Sequence, residues 1–122
     1  DDGLNVNTEL AATTDGLLEY LRTKQLTLQT WSPFQYGTFA GTFIDTPAFG
    51  PLNAVLARLA AKYQVTKNAI ALAWILRLPM KVQVLIGTMT PAHITASAAG
   101  SEVTLTRQEW YDLYLAAGHR LP

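Results

Sequence analysis

The chain of 122 residues balances nine Lys plus Arg against nine Asp plus Glu, is 49% apolar and contains no cysteine. That composition describes one globular unit and excludes disulfides, thiolate nucleophiles and Cys-ligated metals, while the zero formal charge supplies no field for nucleic acid or anionic lipid. His93 and His119 are the only imidazoles and neither has a second ligand at helical spacing, so no metal is expected; the longest apolar run, Ala69 to Leu78, is broken by Arg77 and falls short of the ~20 residues of a spanning helix.

Asp1 to Thr13 mix Gly, Asn, Thr and Asp with isolated apolar residues and read as a loop or leader. Asp15 suits an N-cap for a short helix over 16–24, in which Leu17, Leu18 and Leu21 share a face and Arg22 and Lys24 sit near the C-terminus. Leu26 to Trp31 alternate apolar and polar and stop at Ser32-Pro33, which predicts a strand. From Phe34 to Gly50, aromatic residues and glycines alternate without a period; such a long loop is either functional or a set of aromatics plugging a core edge.

Pro51 suits a first helical position, and Leu52, Val55, Leu56, Leu59, Ala60 and Tyr63 then form one apolar stripe opposite Asn53, Arg58 and Lys62. Thr66 caps a second helix, apolar nearly all round from Ala69 to Leu78 and ended by Pro79. Val82 to Ile86 reads as a strand buried on both faces, closed by Gly87. Thr90-Pro91 then opens a helix ending at Gly100, and Thr106 with Glu109 has the spacing of a capping box ahead of a last helix stopped by Gly118.

Two strands joined by a helical crossover of about fifty residues must lie parallel. Parallel strands want further strands beside them and helices on both faces, so four or five helices are too many for a two-stranded ribbon. Strands supplied by a partner chain or by a larger parent protein are expected, and the start at Asp1-Asp2 without Met fits a chain processed or cut from something longer. The whole of 1–122 is accordingly read as a single partial domain.

The linked series Trp31-Ser32-Pro33-Phe34, Leu59-Ala60-Ala61-Lys62-Tyr63, Thr66, Ala71-Leu72-Ala73-Trp74 and Ile86-Gly87-Thr88-Met89-Thr90-Pro91 resembles the C-terminal part of an aldo-keto reductase. The resemblance implies an α/β fold, a C-terminal fragment of a (β/α)₈ TIM barrel with two parallel strands and about five helices, whose chemistry lies at the C-terminal strand ends. It implies a cytoplasmic oxidoreductase that uses NADPH, with NADH possible, to reduce an aldehyde or ketone to an alcohol. Trp31 takes the position whose ring stacks on nicotinamide, and Ser32, Pro33, Phe34, Gln35 and Gly37 border the pyrophosphate. Gly87, Thr88, Met89, Thr90, His93 and Ser97 fall where the adenosine end is held.

Three replacements depart from that pattern: Met89 stands where Ser, Lys or Arg is frequent, His93 where Arg or Gln is common, and Ala96-Ser97 where Glu-Asn usually contacts adenine. They put a preference for NADP over NAD in question, since no guanidinium fork is left for a 2′-phosphate; His93 either assists when protonated or is a solvated helix residue. The Tyr, Lys, Asp and His that carry the family's proton chemistry have no counterpart in this chain. Glu109 and Asp112 read as capping and solvated charge, and Lys24, Lys62 and Lys67 as solvated faces. The expected partners are a nicotinamide cofactor, a small carbonyl substrate and either the N-terminal part of the barrel or another copy of the chain, with no nucleic acid and no membrane. The alternative is a catalytically inactive barrel fragment acting only in assembly or interaction.

Overall fold

The computed structural model describes residues 16–36 and 40–121. The leader 1–13, Asp15, Gly37, Phe39 and Pro122 lie outside the described residues. The elements run in the order α1 (Leu17–Thr23), β1 (Leu28–Trp31), a 3₁₀ turn (Pro47–Phe49), α2 (Gly50–Tyr63), α3 (Lys67–Leu76), β2 (Val82–Leu85), α4 (Pro91–Ala98), a second 3₁₀ turn (Ala99–Glu102) and α5 (Arg107–Ala116). The two strands pair in parallel, Leu28 opposite Val82 and Trp31 opposite Leu85, as the long crossover requires.

Local hydrogen bonding explains where the boundaries differ from the sequence pattern. Gly16 occupies the N-cap position of α1 without a side-chain cap. At the other end Gln25 adopts a left-handed φ of 54°, while Gln25 N–H donates to Arg22 O and Leu26 N–H to Leu21 O. That pair of bonds is a Schellman closure, so Leu26 is consumed in ending the helix and β1 starts two residues later than the alternation suggests. Pro51 falls one residue inside α2, because the 3₁₀ turn over Pro47–Phe49 feeds directly into Gly50. The buried helix stops at Leu76 rather than Leu78, with Leu78 N–H already turned back onto Ile75 O.

Other signals act as their chemistry dictates. The Thr66 hydroxyl accepts from Ala69 N–H, and Thr106 with Glu109 forms a complete capping box. Gly118, at φ 93°, donates to Leu115 O while His119 N–H reaches Tyr114 O, a second Schellman stop. Thr90 makes no side-chain cap; its own N–H is instead bonded to the Thr88 hydroxyl.

The core lies between α2, α3 and α5, where Leu56, Leu59, Ile70 and Leu105 are almost wholly buried and Phe43 and Leu113 close the sides. Each such side chain contributes about 1.5–3 kcal/mol of transfer free energy. Phe34, Tyr36 and Phe49 of the long loop pack against this cluster, so these aromatics plug a core edge. A bridge between Gln35 and Thr42 ties the loop to itself. Trp74 and Trp110 stack at 4.7 Å and 7°, and each indole N–H donates to the other residue's carbonyl at 3.0 Å.

The second strand is not buried on both faces. Leu28, Thr30, Val82 and Val84 face inward, whereas Gln29, Trp31, Gln83 and Leu85 are exposed. α3 packs on one side of the ribbon, and nothing among the described residues covers the other.

Candidate functional site

In parallel sheets the carboxyl ends of the strands, where the chain leaves for the following helix, are where ligands sit. β1 ends at Trp31 and turns sharply through Ser32, whose φ of 48° is left-handed, with Gln35 N–H returning to Ser32 O at 3.0 Å. A non-glycine residue held there costs on the order of 1 kcal/mol and is retained only where the surroundings fix it. β2 leaves through Ile86, Gly87 and Thr88 into the first turn of α4.

Between these strand ends lies a cleft of about 430 Å³, within the range of small-molecule sites. It is lined by Ser32 through Gln35 after β1, Gly87 and Thr88 after β2, and His93, Ala96 and Ser97 of α4. The last three share one face, at spacings of three and four residues. Thr66 and Asn68 from the start of α3 complete the wall with Thr42. The Thr66 hydroxyl also donates to Ala96 O at 3.3 Å, fastening α3 to α4 at the cleft floor.

The lining is neutral and hydrogen-bonding. The lining residues include Ser32, Thr42, Thr66, Thr88, Ser97, Gln35 and Asn68, with His93 as the single ionisable side chain; the hydroxyls of Thr42, Thr66 and Thr88 already accept from the N–H of Ile44, Ala69 and Thr90. Ser97 is only 2% exposed and its side chain borders the cleft. α4 adds a helix N-terminus that no side chain caps, a feature suited to anionic oxygens.

The expected cofactor residues therefore divide. Ser32, Pro33, Phe34, Gln35, Gly87, Thr88, His93 and Ser97 meet in this cleft. Trp31 does not line it: 70% exposed, it projects from the uncovered sheet face beside Leu85. Met89 is 94% exposed, and neither it nor Thr90 reaches the cleft. Thr42, Thr66 and Asn68 were missed as lining residues. Thr66 carried a signal only as a helix cap, and Thr42 is brought in by its bridge to Gln35, a pairing no local pattern announces.

A second cavity of about 80 Å³ is walled by Leu52, Leu56, Ile75, Leu113 and Trp74, with His119 as its polar member. It is a gap in the core and brings no set of reactive groups together. Among the described residues no group of three or more His, Asp or Glu forms a metal site, and no helix is long and apolar enough to cross a membrane.

Charge is concentrated elsewhere, between α2 and α5. Glu109 is not solvated but 5% exposed, accepting from Lys62 Nζ at 2.5 Å, Tyr63 hydroxyl at 2.7 Å and Thr106 N–H at 2.8 Å. Burial pushes its carboxyl up, but the bonds from Lys62, Thr106 and Tyr63 outweigh burial and hold it down at about 2, from an ordinary 4.5. The same contact raises Lys62 and Tyr63 above their usual ranges. Arg58 meets Asp112 at 2.7 Å, and the bonds from Gln108 and Arg58 lower Asp112. Lys67 is paired with Asp45, so of the lysines read as solvated faces only Lys24 stays a plain exposed charge.

A sequence model described as the Aldo/keto reductase family matches residues 4–114. Two relatives named 6-dehydroglucose reductase, from Agrobacterium fabrum and Novosphingobium aromaticivorans, are 36% and 32% identical over 85% and 88% of the chain. The chain spans about a third of their length, 33% and 35%. A solved thermostable aldo-keto reductase, in complex with the inhibitor epalrestat, superposes with a TM-score of 0.64 at 23% identity, over 87% of this chain and 34% of that one. The fold is thus part of a (β/α)₈ barrel, with two of its parallel strands and five helices. By its sequence match over residues 4–114, the chain belongs to the aldo/keto reductase family.

Proposed function

We propose that this chain supplies the cofactor-binding end of an NAD(P)H-dependent reductase of small carbonyl compounds. The observation that carries the reading is the cleft, in which eight residues anticipated from sequence converge at the carboxyl ends of two parallel strands. Ser32, Gln35 and Thr88 offer hydroxyl and amide groups to the phosphate oxygens, and His93 and Ser97 border the adenosine end. Trp31, standing on the open face at the end of β1, is the shelf for the nicotinamide ring. When bound, the dinucleotide supplies a hydride to a carbonyl carbon. This chain's residues hold and orient it; the proton donor belongs to parts of the barrel that this chain does not contain.

The names of two relatives support an oxidised hexose as the substrate of the assembled protein. The uncovered sheet face supports assembly with the rest of a barrel or with another copy. Calorimetric titration with NADH and NADPH tests the site, and a carbonyl-reduction assay tests the division of labour. Binding without turnover is the expected result. Turnover by the purified chain would place the proton chemistry within it, and no heat with either nucleotide would remove the cofactor role.

A further inference from the structure

We infer that the cleft selects the unphosphorylated dinucleotide, NADH over NADPH; this rests on the cofactor reading above. NADPH differs from NADH by one ribose phosphate, a dianion that proteins hold with a fixed cation, most often a guanidinium fork. All nine Lys and Arg of the chain lie among the described residues, and none lines the cleft. Lys67 comes nearest in sequence, between the lining residues Thr66 and Asn68, but its ammonium is engaged by Asp45. Arg58 and Lys62 are engaged in the α2–α5 contact and Arg77 on Leu105 O at 2.6 Å, while Arg22, Lys24, Lys81, Arg107 and Arg120 stand outside the cleft lining.

What the cleft offers instead suits a ribose diol. Ser97 is buried at the cleft wall with a hydroxyl that can both donate and accept. His93 stands one turn before it on the same face of α4, and an imidazole likewise exchanges hydrogen bonds with a neutral hydroxyl. Placing a phosphate dianion beside these groups strips its hydration without returning a charge.

The test is the affinity of the 122-residue chain for NADH and for NADPH at pH 8, above the range in which imidazoles ordinarily titrate, read by calorimetry. NADH is expected to bind about tenfold or more tighter, the loss of one charge-assisted contact. His93→Arg is expected to narrow that ratio by about tenfold, and Ala96→Arg, at a neighbouring lining position on the same face of α4, provides a second placement of the same fork. NADPH binding as tightly as NADH to the unaltered chain overturns the selectivity while leaving the cofactor site standing. An unchanged ratio in both arginine variants overturns the placement of the ribose edge beside α4. Failure of both nucleotides to bind overturns the cofactor reading itself.

Discussion

Glu109 shows how far one side chain can depart from what its neighbours in sequence suggest. Its position three residues after Thr106 announces a cap, and it is one; but Lys62 and Tyr63 arrive from 47 and 46 residues away and turn the cap into a buried carboxylate with three donors. Glu109→Gln is expected to cost about 2 kcal/mol at pH 7, because a neutral amide leaves Lys62 and Tyr63 poorly matched. The carboxyl is held at about 2 in the folded chain against 4.5 ordinarily, so its contribution is complete above about pH 4.5 and fades as the pH falls towards 2. Urea unfolding midpoints of the two proteins should therefore differ at pH 7 and converge near pH 2. Glycine gives a contrast of the same kind. A Cβ at Gly100 would lie 2.3 Å from Ala69 O and 3.0 Å from Leu72 Cβ, whereas at Gly87 it would meet nothing within 4 Å. Gly100→Ala should lose about 1–3 kcal/mol by overpacking and Gly87→Ala stay within about 0.5 kcal/mol, measured by the same unfolding.

At the scale of elements, what the sequence makes legible is what short-range chemistry decides. Thr66 and the Thr106–Glu109 box cap their helices, Gly118 stops the last one, and the apolar stripe from Leu52 to Tyr63 faces the core. Thr106→Ala should cost about 1 kcal/mol in thermal unfolding, the usual worth of an N-cap. Illegible features depend on groups distant in the chain or on backbone closure. Leu26 patterns as strand yet closes α1, and Thr90 has a cap's identity while the Thr88 hydroxyl takes its N–H. The Trp74–Trp110 pair joins helices 36 residues apart through two reciprocal bonds, which no periodicity encodes. Of the cofactor residues anticipated from sequence, Ser32 to Gln35, Gly87, Thr88, His93 and Ser97 converge, and Trp31, Met89 and Thr90 stand outside. The first residues after each strand are readable because a strand end fixes direction; the exposure of Trp31 and Met89 is not, because it depends on what neighbouring elements cover.

For the whole molecule, the two-stranded ribbon has one covered face and one bare one. Trp31 and Leu85, 70% and 45% exposed, sit opposite each other on the bare side, flanked by the Gln29–Gln83 pair. An exposed apolar strand face beside unpaired strand edges associates unless it is covered. Sedimentation velocity of the chain should show mass rising with concentration, and Leu85→Lys should reduce that rise. A monomer at every concentration would mean that the face is adequately solvated by its glutamines. The chain spans about a third of the length of the two 6-dehydroglucose reductases it resembles.

The central claim, that the strand-end cleft is a dinucleotide site, is tested most directly by mapping amide shifts of ¹⁵N-labelled chain as NADH is added. Perturbations should concentrate at Ser32 to Gln35, Thr66 to Asn68, Gly87, Thr88 and His93 to Ser97, and be small around Glu109 and the Trp74–Trp110 pair. Unmoved cleft amides at saturating nucleotide, or shifts centred on the apolar gap beside Leu56 and Leu113, would contradict it.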